Sequence, residues 1–126
     1  MGINGISVIA VKSLLVENCT LSNFSANGID FNSAMAADMI INNTTILNSN
    51  IGINIASGTA MLGNSVISGC STGVESKTGA TTHLSGNIIT NNATALKGPG
   101  QITSSKNNSV TGNVVQGITA TVVNQQ

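Results

Sequence analysis

The stretch Leu84-Ser85-Gly86-Asn87-Ile88-Ile89-Thr90-Asn91-Asn92 decides the fold, because near copies of it recur before and after it along the chain. Two sets of markers carry the repeat. Pairs of glycine and an aliphatic residue stand at Gly5-Ile6, Gly28-Ile29, Gly52-Ile53, Gly73-Val74 and Gly117-Ile118, and Ala95-Leu96 fills the remaining gap. A second aliphatic marker recurs at Leu21, Ile46, Ile67, Ile89 and Val110. Successive members of either set lie 21 to 25 residues apart, so the two markers keep one register.

A period near 22 residues predicts a parallel β-helix, in which each coil contains a few short strands and each strand pairs with its counterpart one coil away. A leucine-rich repeat has a similar period, but neither its Leu-x-x-Leu-x-Leu pattern nor its helical half is visible. The hexapeptide repeats of left-handed helices do not fit this period. The sequence therefore predicts an all-β solenoid of about five coils, with residues 1–126 as one domain and a fragment or minimal version of a longer β-helix.

The composition argues against several classes of partner. Four basic and four acidic residues among 126, with no Arg, give no electrostatic footprint for nucleic acid or for an anionic membrane surface. Two Phe and no Tyr or Trp leave no stacking platform for single-stranded nucleic acid. No apolar run approaches the roughly 20 residues of a membrane span, and the first residues lack the pattern of a signal peptide. We expect neither a nucleic-acid partner nor a membrane span.

Alternation within each coil predicts which side chains face the core. Ile29 and Phe31 are expected inside with Asp30 outside, and Ile53 and Ile55 inside with Asn54 outside. A further core row is predicted at Val16, Ile41, Leu62 and Leu84. Between this row and the aliphatic marker lie short polar residues that should form a turn, bond to one another from coil to coil as a ladder, and tolerate left-handed backbone: Cys19, Thr44, Ser65, Asn87 and Asn108.

One outward row is unexpectedly apolar. It consists of Leu15, Ile40, Met61, His83 and Ser104, each one residue before a core position. Large apolar side chains stacked on a surface usually mark an interface, so Leu15, Ile40 and Met61 are interface candidates. The alternative is that a turn or a slip in register buries one or two of them. His83 is the only imidazole, and without a second His or an acid beside it in this row we expect no metal site and no cofactor.

The unit Gly-Asn-Ile-Ile-Thr-Asn-Asn at 86–92, followed in neighbouring copies by a Gly-Ile or Gly-Val pair, resembles the parallel β-helix repeat of the pectin-lyase-like superfamily. The resemblance spans nearly the whole chain and implies a right-handed β-helix. That scaffold carries pectate lyases, polygalacturonases, tailspikes and adhesins alike, so the resemblance is specific for fold and not for activity. It also implies a secreted or cell-surface protein. Pectate lyases typically use an Arg base, and this chain has no Arg.

Polygalacturonases use clustered Asp residues on adjacent coils, which directs attention to the acidic residues. Asp30 and Glu75 share an outward row that reads Ser7, Asp30, Asn54, Glu75, Lys97 and Thr119. Two coils of about 4.8 Å each separate the two acids by about 10 Å, near the upper end of the roughly 6.5–9.5 Å spacing of inverting glycosidases. Asp30 and Glu75 are therefore catalytic candidates, and Asn54 and Lys97 are binding candidates. The alternative is a solvated surface on which Lys97 pairs with Glu75.

The cysteines and the terminal coils complete the expectations. Cys19 and Cys70 lie two coils apart, beyond the Cα separation of about 7 Å that a disulfide allows, so both are predicted to be free. The terminal coils of a β-helix expose a core rung and unpaired backbone unless they are covered. Apolar residues stand near both ends, which suggests association end to end: Ile3, Ile6 and Val8, and Val114, Val115, Ile118 and Val122.

Three functions follow from these observations. The first is a non-catalytic scaffold or adhesive module of a carbohydrate-related or cell-surface bacterial protein, which self-associates through open ends or the apolar row. The second is a shortened glycoside hydrolase or polysaccharide lyase that acts on acidic polysaccharide. The third is ice binding, which requires outward Thr ladders. The relevant threonines are not expected on one row, so ice binding ranks last: Thr44, Thr45, Thr90, Thr94, Thr111 and Thr119.

Overall fold

The computed structural model describes residues 2–33, 37–105, 107–117 and 121–123. These residues form seventeen short strands. In chain order they are β1 (Asn4–Val8), β2 (Ser13–Glu17), β3 (Thr20–Ser22), β4 (Asn27–Phe31), β5 (Asp38–Asn42), β6 (Thr45–Leu47), β7 (Ile51–Ile55), β8 (Thr59–Gly63), β9 (Val66–Ser68), β10 (Thr72–Ser76), β11 (Thr81–Ser85), β12 (Ile88–Thr90), β13 (Thr94–Lys97), β14 (Gln101–Ser105), β15 (Ser109–Val110), β16 (Val115–Gly117) and β17 (Thr121–Val123).

The strands build three parallel sheets, and successive strands along the chain pass from one sheet to the next. Sheet A has the order β1-β4-β7-β10-β13-β16, sheet B the order β2-β5-β8-β11-β14-β17, and sheet C the order β3-β6-β9-β12-β15. Each strand pairs with its counterparts about 22 residues away, which makes a β-solenoid of about five turns without a helix in the described residues. The fold predicted from the repeat is confirmed.

The core is a stack of aliphatic rungs, and the predicted alternation places the right residues in it. Ile29, Phe31, Ile53 and Ile55 are buried on the inner face of sheet A. The row Val16, Ile41, Leu62 and Leu84 is buried on sheet B, and Ile46, Ile67 and Ile89 of the second marker are buried on sheet C. Coil-to-coil stacking explains the repeat, because each buried position has the same position of the next coil as its neighbour.

At Gly28, Gly52 and Gly73, close packing between sheets A and C leaves little room for a side chain. A Cβ added at Gly52 would lie 2.6 Å from the carbonyl oxygen of Gly73 and 2.7 Å from Cγ2 of Ile67. Gly28 meets the same obstruction from Gly52 and Ile46. The glycine pairs of sheet A and the aliphatic marker of sheet C therefore recur together, because the aliphatic side chain occupies the space in which a Cβ of the glycine would lie.

The predicted polar ladder is present in part, in the turn between sheets B and C, because Ser65, Asn87 and Asn108 bond from coil to coil whereas the Cys19 and Thr44 side chains bond to carbonyl oxygens of their own coil. Ser65 Oγ accepts from the backbone N of Thr44 at 3.1 Å, and Asn87 Oδ1 accepts from the backbone N of Ser65 at 3.0 Å. Asn108 Oδ1 accepts both from the backbone N and from Nδ2 of Asn87, at 2.9 and 3.0 Å. Cys19 contacts the next coil here only through its backbone, since its carbonyl oxygen accepts from the backbone N of Thr45. Side chains of one coil thus satisfy the backbone of the coil before it.

The ladder residues do not themselves adopt the left-handed backbone that Asn tolerates. Positive φ occurs instead at the residue before each of the first four, at Asn18, Asn43, Asn64 and Gly86. A tight corner needs one such residue, and Asn and Gly enter this region at lowest cost. The ladder residue follows in a conformation that turns its side chain toward the neighbouring coil.

A second ladder, which the sequence analysis did not identify, lies in the turn between sheets C and A. Asn92 Oδ1 accepts from the backbone N of Cys70 at 2.9 Å, and Asn113 Oδ1 accepts from the backbone N of Asn92 at the same distance. Ser49 Oγ accepts from the backbone N of Phe24 at 3.3 Å. The residues of this second ladder recur with the same period as the two sequence markers. That period is therefore the sequence signal from which the second ladder could be predicted.

The register between the fourth and fifth coils differs from the prediction by one residue. His83 pairs with Thr103 and Leu84 with Ser104, so Ser104 follows the core row and not the row of His83. The offset is local because three residues, 106–108, separate β14 from β15, whereas two separate β11 from β12. The longer turn restores the register at Asn108.

Both cysteines are free, as predicted. Burial raises the pKa of the Cys70 thiol above its ordinary value of 9.0, and a backbone hydrogen bond with Ser49 acts in the opposite direction. Cys19 is half-buried, and its thiol donates to the Glu17 carbonyl oxygen.

The apolar residues named near the two ends differ in exposure. Ile3, Val114 and Val115 are exposed, whereas Val8 is buried under the next coil. Ile118 and Thr119 lie outside the described residues.

Candidate functional site

The outer face of sheet B carries an apolar stripe, which we define as Leu15, Ile40 and Met61. The three residues are direct register partners on β2, β5 and β8. Their side chains are 59, 46 and 53% exposed. The alternative that a turn or a register slip buries them is therefore wrong. Three stacked large apolar side chains are thus exposed to solvent. The residues directly before and after each of them along the strand point into the core.

A groove with a volume of about 690 Å³ lies over the stripe. One wall consists of the residues two positions after the stripe and after His83, which are polar except for the glycine: Glu17, Asn42, Gly63 and Ser85. Thr59 lines the groove from the other side. An apolar floor with polar margins is typical of a surface that binds another molecule and is not typical of one that is only solvated.

The stripe ends in polar groups at the fourth and fifth coils. His83 follows Met61 in register and is exposed. Its Nδ1 is hydrogen-bonded to Thr103 Oγ1. Among the described residues, no group of three or more His, Cys, Asp or Glu is placed to hold a metal ion. The imidazole therefore forms the polar margin of the groove together with a hydroxyl.

The outward row of sheet A contains the predicted catalytic and binding residues. Asp30 pairs in register with Asn54, Asn54 with Glu75, and Glu75 with Lys97. Both acids are half-buried and Lys97 is exposed. The structure thus brings Asp30, Asn54, Glu75 and Lys97 together on one face, in the order that the period predicts.

Asn54 differs from the expectation of an outward, solvated residue, because it is only 7% exposed. Its neighbours on both adjacent coils cover it, and its Nδ2 donates to Asp30 Oδ1 at 2.9 Å. The side chain fills the interval between the two carboxylates, which is where an inverting glycosidase needs space for a water molecule. The row therefore lines up two acids without opening a cleft between them.

Among the residues that the structure describes, the threonines named above do not form the outward ladder that ice binding requires. Thr44 is buried in the polar turn, and Thr94 lies on sheet A. Thr45 pairs with Val66, and Thr90 pairs with Ser68, in two different rows of sheet C.

Two further features had no sequence signal. Gly63, in the wall of the groove, has no positive φ, and a Cβ there would meet Asn42 Oδ1 at 3.5 Å and the Ser85 carbonyl oxygen at 3.7 Å, which are ordinary contacts. The coil therefore does not require a glycine at this position. Thr82 is fully buried on the inner face of sheet B, and its hydroxyl has no hydrogen-bond partner.

Comparison with known proteins identifies the architecture. A family model described as a right-handed beta helix region matches residues 1–124. This match is consistent with the resemblance to pectin-lyase-like β-helices. None of the curated proteins and none of the solved structures matches the chain. The part of the chain that the structure describes contains no helix of the length and apolar character needed to cross a bilayer.

Proposed function

The chain belongs to the family of right-handed β-helix regions, and from that premise we propose that it is a non-catalytic scaffold or adhesive module that self-associates through the apolar stripe. The observation that carries the proposal is the exposure of Leu15, Ile40 and Met61 as one continuous row. Three stacked side chains of this size attract another apolar surface, since each contributes roughly 1.5–3 kcal/mol when it is fully buried. About half of that burial is still available at each position.

The rest of the outer surface favours a structural role. Charged residues are few, and the two acids that share a row are separated by the Asn54 side chain, which is bonded to one of them. Several polar side chains in the turns accept hydrogen bonds from the backbone of a neighbouring coil. A regular, rigid solenoid of this kind presents a surface at fixed intervals, which suits assembly or adhesion at a cell surface or on a carbohydrate.

The experiment is sedimentation velocity of the purified chain from low-micromolar to near-millimolar concentration. We expect the weight-average sedimentation coefficient to rise with concentration. Ile40→Thr keeps a good strand former on the same strand but reduces the apolar surface, and it should shift the rise to higher concentration. Ile88→Thr is the matched control, because Ile88 is similarly exposed, at 48%, on the outer face of sheet C.

Two results would contradict the proposal. A chain that stays monomeric at every concentration removes self-association. A chain whose association is unchanged in Ile40→Thr, or is weakened equally by Ile88→Thr, associates through some other surface, such as its ends.

A second candidate function is hydrolysis of an acidic polysaccharide by Asp30 and Glu75, with Lys97 binding a carboxylate of the substrate. The observation that favours it is the register that aligns these three residues on one half-buried face. The variants Asp30→Asn and Glu75→Gln test it against a panel of acidic polysaccharides such as polygalacturonate. Equal cleavage, or equal absence of cleavage, by the variants and the parent chain would exclude the pair as catalytic groups, and Lys97→Ala separately tests binding.

A further inference from the structure

We infer that the stripe binds a second copy of this chain, with the two solenoids side by side, parallel, and related by a two-fold axis that runs along the solenoid direction. This inference rests on the proposed self-association and adds the geometry of the contact. It follows from the residues that flank the stripe. Two outward rows are defined as the leading row, Ser13, Asp38, Thr59 and Thr81, and the trailing row, Glu17, Asn42, Gly63 and Ser85, each two positions from the stripe or its continuation.

A two-fold axis over the stripe places each stripe residue opposite its own copy. The same operation places the leading row of one copy opposite the trailing row of the other, strand by strand, because an isologous contact pairs residue i with j and j with i. On β5 the carboxylate of Asp38 then faces the side-chain amide of Asn42 in the second copy. On β2 the Glu17 carboxylate faces the Ser13 hydroxyl. Each acid therefore meets a hydrogen-bond donor, and symmetry provides each pair twice.

The amide of Asn42 is suited to this contact. Its Oδ1 accepts from Asn64 Nδ2 at 3.3 Å within the chain. The Nδ2 group is consequently the one that can meet a carboxylate across the interface. Asp38 and Glu17 are exposed, so neither side chain has to give up a buried contact within its own chain when the second copy covers it.

Gly63 provides the third match. Neither its φ nor the space around a Cβ requires glycine, so the coil tolerates a side chain there. In the two-fold arrangement Gly63 lies opposite Thr59 of the second copy. The missing side chain leaves room for the threonine methyl group, which is a reason for glycine that the isolated chain does not contain.

The other face-to-face two-fold arrangement, with the axis parallel to the strands, matches less well. With that axis midway between β5 and β8, Leu15 would lie opposite His83, so one apolar side chain of the stripe would face an imidazole that is already bonded to Thr103. With the axis over β5, Leu15 would lie opposite Met61, but the Asp38 carboxylate would face its own copy without a hydrogen-bond donor. In the parallel arrangement all three stripe residues face apolar side chains, and His83 continues the row opposite its own copy.

The size of the face sets the strength of the contact. Five strands of five residues carry it, namely β2, β5, β8, β11 and β14. With about 4.8 Å between strands and about 3.3 Å per residue the footprint is roughly 24 by 16 Å, or about 400 Å² per copy. Stable interfaces bury about 800 Å² per partner. We therefore expect a weak, reversible dimer, and the test must report geometry as well as affinity.

The test is cross-linking of single cysteines introduced into the face, with Cys19→Ser as background and Cys70 left in place because it is buried. Packed sheets lie about 10 Å apart, beyond the reach of a disulfide, so a short bis-maleimide is the reagent. Leu15→Cys should give a covalent dimer by itself, and so should His83→Cys. Ile88→Cys, on sheet C, is the control and should not.

The two arrangements give different products. In the alternative arrangement with the axis midway between β5 and β8, Leu15 lies three coils from its own copy along the solenoid direction, about 14 Å, and only a mixture of the Leu15→Cys and His83→Cys chains forms dimers. With that axis over β5, the mixture that forms dimers is Leu15→Cys with Met61→Cys. Either result would overturn the parallel geometry and leave the proposed self-association standing. Absence of cross-linking together with a monomeric parent chain would overturn both. Circular dichroism of each variant verifies that the solenoid is folded.

A second variant tests the match at Gly63. Gly63→Val fills the notch in the wall with a good strand former, so the free energy of unfolding should be unchanged or higher. Dimerisation should weaken by at least about tenfold in Kd, equivalent to about 1.4 kcal/mol. A variant that dimerises as tightly as the parent chain would refute the role of the notch.

Discussion

Replacing Asn87 with Ala removes the central member of the polar ladder between sheets B and C. The side chain is 1% exposed. Its Oδ1 accepts from the backbone N of Ser65 at 3.0 Å, and its Nδ2 donates to the carbonyl oxygen of Leu62 at 2.7 Å and to Asn108 Oδ1 at 3.0 Å. The substitution therefore leaves two backbone groups of the preceding coil without this partner.

The expected cost follows from those two groups. A buried donor or acceptor that loses its partner costs about 1–3 kcal/mol, so Asn87→Ala should lower the free energy of unfolding by about 2–6 kcal/mol. A domain of this kind has about 5–15 kcal/mol in total. Asn87→Ser should cost roughly half as much as Ala, because a serine hydroxyl already accepts from the backbone in this ladder, at Ser65.

The assay is urea unfolding followed by circular dichroism, with the slope m compared between variants to verify that the same surface is exposed. Amide exchange adds a local measurement. The amide of Ser65 should exchange faster in Asn87→Ala, whereas the amide of Thr44, which bonds to Ser65 Oγ, is the internal control. A loss below about 0.5 kcal/mol, or equal losses for Ala and Ser, would refute the view that this side chain carries the backbone bonds of its neighbouring coil.

Three further predictions concern the core and the thiols. Gly52→Ala should destabilise by about 1–3 kcal/mol because its Cβ is obstructed by the backbone of the next coil, while Gly63→Ala, whose Cβ would make only ordinary contacts, should be within about 0.5 kcal/mol of the parent chain in urea unfolding. Thr82→Val removes a buried hydroxyl that has no partner and should raise the free energy of unfolding by about 1 kcal/mol; a destabilised valine variant would show that the hydroxyl is hydrogen-bonded. Burial raises the pKa of the Cys70 thiol above 9.0, so the folded state holds the thiol proton more tightly than the unfolded state does. The resulting contribution to the free energy of unfolding is therefore present below pH 9. It is lost as the pH rises through the pKa of the folded state. Cys70→Ala should accordingly flatten the alkaline decline in stability, and in the folded chain a thiol reagent should modify Cys19 before Cys70.

The sequence by itself determined the solenoid, its period and the inward rows. This was possible because stacking makes the neighbour of each residue the equivalent residue one coil away, so a single period describes the backbone pairing, the core and the polar ladder together. The rows through Ile29, Leu62 and Ile89 could be assigned from alternation alone. The glycine pairs and the aliphatic marker kept one register because their side chains share the same space between sheets A and C.

Tertiary structure alone decided the details of the outer surface. Asn54 lies in the outward row that the period predicts, yet adjacent carboxylates cover it. Burial of this kind depends on the size of the neighbouring side chains and on their hydrogen bonds, and alternation along a strand describes neither. The partner of His83 is Thr103 and not Ser104, because turns of unequal length shift the register for part of one coil before restoring it. The room for a Cβ at Gly63 and the lack of a partner for the Thr82 hydroxyl depend on distances between coils. A period predicts which residues are neighbours, but only the packed coils show how much room lies between them.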